Sequence, residues 1–320
     1  MDNTHNQVRL ALLNATDVAT VPGQFVGVVG GRAIVVNGTD LLAVSPAGAM
    51  TKLGQLAGHV EWSGVGSVAV NPSLSQWLYT LVDFSNLISQ IHLGAPTGDK
   101  VIATVPSPDG GSFYQPFAWN ASGAYMVKEG TGLGGVGPFL EYHFPLERIN
   151  LSTGQITEVS PTCVAEMVLD DGTFLCRNLT GGLQTGGLEV RSPSGSTHVI
   201  QISTGSSGGQ GTYSKLTVTA DQRHLVAARN GSSNPALINY QMVAADLTAS
   251  GVAVFGASDF LPDTSLPDGR LVADHLCWTF QGNGGPCDQS LDGTYVVSAD
   301  GQTRTLFYKL APGSAVVASV

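Results

Sequence analysis

The stretch FAWNASGAYMV, residues 117–127, contains an apolar strand, a polar turn with a glycine, and a second apolar strand. The same pattern returns as MVLDDGTFL at 167–175, as LTVTADQRHLV at 216–226 and as QSLDGTYV at 289–296. Looser copies stand at 68–79 and 31–35. The copies recur about every 50 residues, except for a last interval of about 70, and a fixed period of this size is typical of repeat architectures.

A period of this length fits four short strands, which is the size of a propeller blade. The sequence therefore predicts an all-β fold, a single closed β-propeller with six four-stranded blades. The predicted blades are 23–58, 59–107, 108–163, 164–204, 205–258 and 259–320. Residues 1–22 would form an N-terminal segment that closes onto the propeller of residues 23–320. A seventh blade hidden within 259–290 is the alternative.

The repeated turn resembles that of TolB-type propeller proteins, in which an apolar strand precedes a Ser/Asn-Pro/Ala-Asp/Ser-Gly turn and a Tyr/Ala strand follows. The corresponding triplets here are Ala-Ser-Gly at 121–123, Asp-Asp-Gly at 170–172 and Leu-Asp-Gly at 291–293. The resemblance covers most of residues 23–320 and implies the propeller fold. It transfers no functional residue, because this repeat occurs in binding proteins and enzymes alike.

The charge composition argues against two classes of binding partner, nucleic acids and anionic membranes. The net charge is −10, and the 14 Lys and Arg residues are scattered along the chain. Nucleic-acid binding and binding to an anionic membrane both need clustered positive charge, so neither is expected. No apolar run reaches the length of a membrane span. We expect a monomer that inserts in no membrane.

The four cysteines form two close pairs, and nearest-neighbour disulfides Cys163–Cys176 and Cys277–Cys287 are the preferred prediction. The alternative is four buried thiols. Six Asn-x-Ser/Thr sequons are further support for an exported, glycosylated protein; they begin at Asn14, Asn37, Asn120, Asn150, Asn178 and Asn230. We therefore expect a secreted or periplasmic protein. Residues 1–6 do not have the composition of a signal peptide, so either a signal was removed and a start Met added, or the protein is cytoplasmic.

Two motif matches in the sequence carry no function. The glycines at 130, 132 and 135 match a dinucleotide fingerprint, but Pro138 and an aromatic strand follow instead of a helix. The Gly-x-Ser-x-Gly match at 205–209 likewise precedes no helix. No two histidines lie close enough for a metal signature, and the Asp-Gly turns lack the spacing of a calcium loop. We expect no cofactor and no metal.

Candidate ligand-binding residues stand where the predicted blades begin, because the first strand of each blade lines the channel. They combine aromatic rings with carboxylates and imidazoles, which suits a polar binding site: His59, Glu61, Trp62, Tyr114, Glu166, Asp274, His275 and Trp278. Gln115, Tyr213 and Lys215 occupy equivalent places. The alternative is that the tryptophans pack between blades and that the charges line a wet channel.

Two functions remain open. The first is an exported propeller that binds a peptide, glycan or protein partner on its channel face. The second is a lyase or hydrolase that uses His59 or His275 with Glu61, Glu166 or Asp274 as general acid and base. Convergence of a histidine and a carboxylate would favour the enzyme. The long segment between Phe260 and Gln289 is predicted to be an insertion that walls the binding site.

Overall fold

The computed structural model describes residues 7–11, 17–60, 68–107, 112–130, 143–180, 183–202, 213–230, 240–258, 260–275 and 289–309. Within these ranges the strands form six four-stranded sheets and one two-stranded sheet. Each four-stranded sheet is built from four consecutive strands. These sheets confirm the predicted six-bladed β-propeller, and the seven-blade alternative is wrong.

The chain divides into two compact units, one mainly Thr16–Phe174 and the other mainly Leu175–Ser319. The first unit contains a hairpin, three blades and the first strand of blade four. Its hairpin is β1 (Gln7–Ala11) and β2 (Asp17–Pro22). Blade one is β3 (Gln24–Val29), β4 (Arg32–Asn37), β5 (Asp40–Val44) and β6 (Met50–Gln55). Blade two is β7 (Val68–Val70), β8 (Trp77–Asp83), β9 (Ile88–Ala95) and β10 (Gly98–Pro106), and blade three is β11 (Ser112–Asn120), β12 (Gly123–Gly130), β13 (His143–Ile149) and β14 (Ile156–Ser160).

Blade four is the sheet of β15 (Val164–Val168), β16 (Phe174–Thr180), β17 (Leu183–Arg191) and β18 (Thr197–Gln201). The second unit continues with blade five, which is β19 (Tyr213–Val218), β20 (His224–Asn230), β21 (Tyr240–Asp246) and β22 (Ala253–Ser258). Blade six is β23 (Phe260–Ser265), β24 (Leu271–His275), β25 (Gly293–Val297) and β26 (Arg304–Tyr308), with a short 3-10 turn at Gln289–Leu291. All six observed blades lie within the ranges predicted from the repeat.

The core lies between the faces of neighbouring blades, where alternate strand residues meet. One cluster joins Ile34 and Val36 of blade one to Trp77 and Tyr79 of blade two. Comparable clusters join blade two to blade three and blade five to blade six. Few residues carry charge, so stability comes from these apolar faces, at about 1.5–3 kcal/mol for each large side chain that is fully buried.

The β1–β2 hairpin covers the second face of blade one. Leu10 and Val21 pack against Ala33, Val35 and Val44, whereas Ile34 and Val36 point to blade two. The hairpin thus packs against the face of blade one that does not face blade two. The predicted meeting of the two chain ends lies outside the described residues, because 310–320 are not among them.

The last repeat copy was misplaced by the sequence pattern. The turn between the first and second strands of blade six is Leu266–Arg270, where Gly269 N donates to Leu266 O at 3.0 Å and Leu266 N donates to Arg270 O at 2.8 Å. It contains an intact Pro267-Asp268-Gly269. The copy at 289–296 instead enters β25, the third strand. With this correction the last interval also returns to about 50 residues.

The predicted insertion is consequently shorter than expected. Phe260–Ser265 and Leu271–His275 are regular strands of blade six. The additional residues are those between His275 and Gly293, of which 276–288 lie outside the described residues.

Cys163 and Cys176 are both disulfide-bonded and buried. This agrees with the predicted bridge between them, which joins the beginning of β15 to β16. Cys277 and Cys287 lie outside the described residues. Of the sequons, Asn120 uses its side-chain nitrogen, the atom a glycan requires, to donate hydrogen bonds to Val168 O at 3.1 Å and Leu169 O at 2.9 Å.

Candidate functional site

The connections of the blades differ sharply between the two ends of the strands. First-to-second and third-to-fourth strands are joined by short turns throughout. The long intervals between strands all lie at the other end, either between a second and a third strand or between a fourth strand and the next blade. They are 56–67, 131–142, 202–212, 231–239 and 276–292, and most of these residues lie outside the described ranges. We call the end with the long connections the loop edge of each blade, and the opposite end the turn edge. Function concentrates in long loops held by a rigid scaffold, so the loop edge is the favoured face.

The predicted site residues are distributed unevenly over this arrangement. Tyr114 and Glu166 lie on β11 and β15, which are first strands as expected. His59 is exposed and lies in the connection that follows blade one. Asp274 and His275 lie on β24, a second strand, because the last repeat copy was misplaced. Glu61, Trp62 and Trp278 lie outside the described residues.

A charged pair connects the first strands of blades five and six. Lys215 Nζ on β19 contacts Asp263 Oδ1 on β23. The Asp263 side chain is 0% exposed, whereas that of Lys215 is 39% exposed. Asp263 Oδ2 has no hydrogen-bond partner among the described residues. The Asp263 side chain is thus a buried carboxyl group with Lys215 as its ion-pair partner.

A β-bulge explains why Asp263 points inward. Pro262 pairs with Ala273 and Thr264 pairs with Val272, so Asp263 is an additional residue in β23. Such a bulge redirects a side chain that regular alternation would place elsewhere. Sequence reasoning named Lys215 but missed Asp263, because strand alternation does not predict the position of a bulge.

Asp274 adds a second buried carboxyl group to this cluster. It is 1% exposed, and its Oδ1 accepts a hydrogen bond of 2.6 Å from Thr294 Oγ1 on β25. Burial lowers the pKa of Lys215 from its usual value, and the charge of Asp274 acts in the opposite direction.

A histidine–carboxylate pair lies at the loop edge of blade six. His275 Nδ1 is 3.2 Å from Asp292 Oδ1, and their side chains are 5% and 31% exposed. The imidazole also contacts the ring of Phe260 edge to face, with the ring centroids 5.2 Å apart. These two contacts give His275 a defined orientation. The sequence predicted His275 but offered Glu61, Glu166 or Asp274 as the carboxylate partner, not Asp292.

Tyr114 contributes to a different polar group, inside blade three. Its hydroxyl donates to Glu147 Oε1 at 3.3 Å. Burial and the nearby Glu147 raise the pKa of Tyr114 to about 12. Burial likewise raises the pKa of Glu147, and the charge of Glu158 adds to this effect. Glu147 is directly opposite Glu158 on the neighbouring strand.

A further polar network lies at the turn edge of blade two and was not predicted. Asp99 accepts from the Tyr79 hydroxyl at 2.6 Å and contacts His92 Nδ1 at 2.7 Å. The Tyr79 hydroxyl also accepts from Ala57 N at 2.7 Å, which ties the end of blade one to blade two. An open cavity of about 470 Å³ adjoins Asp99, Lys52 and Pro96. The network is well suited to joining the two blades.

Within the described ranges, no three His, Cys, Asp or Glu residues are grouped so that they could hold a metal ion. The same residues include no helix that is long and apolar enough to cross a membrane.

Comparison with solved structures places the fold among β-propellers. The propeller domain of the Trilobed protease from Pyrococcus furiosus is similar, with a TM-score of 0.50 and 7% identity over 90% of this chain and 82% of that one. TolB from Acinetobacter baumannii has a TM-score of 0.43 and 16% identity, and the match covers 89% of this chain and 64% of TolB. Puromycin hydrolase has a TM-score of 0.43 and 15% identity over 82% of this chain and 46% of that one.

These likenesses concern the fold alone. No protein-family model and no curated protein sequence matches the chain.

Proposed function

We propose that the protein is an exported propeller that binds a basic segment of a peptide or protein partner at the loop edge of blade six. The observation that carries the proposal is Asp292, a partly exposed carboxylate at that edge, held by the buried His275. A carboxylate fixed in this way accepts charge-assisted hydrogen bonds from an ammonium or guanidinium group.

Two further features support the proposal. The net charge of −10 attracts cationic partners and repels anionic ones. The disulfide-bonded Cys163 and Cys176 support export, since structural disulfides persist in oxidising compartments.

The experiment uses three fluorescein-labelled peptides of equal length, one rich in Lys and Arg, one rich in Asp and Glu, and one neutral. Fluorescence anisotropy measures their binding to the full chain and to two charge-matched variants. Asp292→Asn removes a carboxylate at the loop edge, and Asp300→Asn removes an exposed one at the turn edge of the same blade. We expect the basic peptide to bind, and Asp292→Asn to weaken it tenfold or more, about 1.4 kcal/mol.

Asp300→Asn should leave the affinity of the basic peptide within about twofold, a few tenths of a kcal/mol. Equal losses in the two variants would indicate a general charge effect and would contradict a loop-edge site. Preferred binding of the acidic or neutral peptide would contradict the proposed partner class.

An acid–base enzyme is the second candidate, and the separation of 3.2 Å between His275 Nδ1 and Asp292 Oδ1 favours it. A carboxylate can orient an imidazole for proton transfer. The same peptides incubated with the protein would yield new masses if a bond were cleaved. His275→Gln should abolish such products. If no peptide yields a product, the proposal of a hydrolase that acts on peptides is wrong.

A further inference from the structure

We propose that Lys215 and Asp263 become joined by an isopeptide bond between Nζ and Cγ, formed inside the folded protein without another enzyme. The bond would tie the first strand of blade five to the first strand of blade six. This inference is independent of the partner proposed above.

The positions of the two groups support the bond. Lys215 Nζ contacts Asp263 Oδ1, and Oδ1 is bonded directly to Cγ, so the nucleophile lies beside the electrophilic carbon. The β-bulge at Asp263 and its wholly buried side chain hold the carboxyl group in place. Because the two groups are held together, they need not meet by diffusion, and this raises the rate of bond formation by many orders of magnitude.

The surroundings also favour the reactive protonation states. Condensation needs a neutral amine and a protonated carboxyl group. Burial of the Asp263 side chain disfavours its charged carboxylate form, particularly when few hydrogen bonds stabilise it. Asp263 Oδ2 has no partner within the described chain, and burial lowers the pKa of Lys215.

Asp274 is suited to transfer a proton from the Lys215 nitrogen to a carboxyl oxygen of Asp263. It is buried, its charge acts on Lys215, and Thr294 holds its Oδ1 at 2.6 Å. In the balanced step, the Nζ lone pair attacks Cγ and an N–C bond forms. Asp274 takes a proton from the nitrogen and returns it to a carboxyl oxygen, the C–O bond breaks, and one water molecule leaves. No atom is oxidised or reduced.

The chain contains its own control in blade one. Lys52 Nζ is 2.8 Å from Asp40 Oδ1, and Lys52 and Lys215 are similarly exposed, 48% and 39%. The carboxyl groups differ, because the Asp40 side chain is 39% exposed and also accepts a hydrogen bond from Gln55. Water and Gln55 stabilise the charged forms of this pair, so it should remain an ordinary salt bridge.

The test is mass spectrometry of the full chain after denaturation and reduction of disulfides. We expect a mass below that of the sequence by one water molecule. Trypsin should fail to cut after Lys215, and a branched peptide should link Lys215 to Asp263. Lys52 and Asp40 should appear in unlinked peptides.

Lys215→Arg keeps the positive charge but lacks the amine, so its mass should show no loss of water. Asp274→Asn keeps both joined residues and should accumulate unlinked chains. A wild-type chain whose peptides at Lys215 and Asp263 are intact and unlinked would overturn the proposal. A loss of water that persists in Lys215→Arg would overturn it as well.

Discussion

Gly256 and Gly301 lie against each other so closely that a Cβ atom added to either would overlap the backbone of the other. Gly256 is in β22 of blade five, and Gly301 is in the turn between β25 and β26 of blade six. Both have positive φ, 74° and 73°. The contact shows how closely two neighbouring blades approach where no side chain intervenes.

Gly256→Ala should therefore destabilise the protein. The positive φ and the overlap with Gly301 both disfavour a side chain at position 256. We therefore expect a loss of at least about 2 kcal/mol in the free energy of unfolding. Urea denaturation measures the loss. Gly251→Ala is the matched control, because its added Cβ meets nothing within 4 Å; an equal effect at both positions would contradict the explanation.

Gly94→Ala should disturb blade two through Trp77. The indole of Trp77 is 0% exposed and covers Gly94, its cross-strand partner. A Cβ at Gly94 would overlap this rigid ring, so we expect a loss of about 1–3 kcal/mol in unfolding free energy. Gly27→Ala, on a strand with open space, should be nearly neutral. A stable Gly94→Ala with unchanged Trp fluorescence would refute the packing.

Gln222→Gly should stabilise the protein. Gln222 has φ 57° in the turn of blade five, at the position that Gly172 and Gly269 occupy with φ 87° and 85° in blades four and six. Relief of about 1–2 kcal/mol of left-handed strain exceeds the entropic cost of glycine, so a net gain of about 0.5–1 kcal/mol is expected. The converse change, Gly269→Gln, should destabilise. A lower urea midpoint for Gln222→Gly would contradict this reasoning.

Glu147 should make stability depend on pH. Burial raises its pKa in the folded state above the usual 4.5. Folding therefore favours the protonated form, and this contribution is fully present below the unfolded pKa and lost as pH rises through the folded pKa. The unfolding free energy of the wild type minus that of Glu147→Gln should fall as pH rises above 4.5. A difference that stays flat or increases would contradict the direction of the shift.

The repeat pattern was sufficient to predict the blades, because each strand and turn carries its own apolar and Gly/Asp signals. It failed where two similar signals competed. Pro267-Asp268-Gly269 is the true turn of blade six, but Leu291-Asp292-Gly293 gave the same local pattern before the third strand. The error moved Asp274 and His275 from a second strand to a first strand in the predicted arrangement.

The site was predicted less well for a different physical reason. Alternation identifies which residues face a sheet, but Asp263 points inward only because of a β-bulge, and its contact with Lys215 joins strands that are distant in sequence. The pairing of His275 with Asp292 likewise depends on where β24 ends and β25 begins. Neither relationship has a local sequence signal.

The central claim is that the loop edge of blade six binds a basic partner, and hydrogen–deuterium exchange with and without the Lys/Arg-rich peptide tests it most directly. We expect the peptide to slow exchange at 271–275 and 289–293, at the loop edge of blade six. Exchange at 266–270 and 298–303, the turn edge of the same blade, should stay unchanged. Protection confined to those turns, or no protection at 271–275 and 289–293, would contradict the claim.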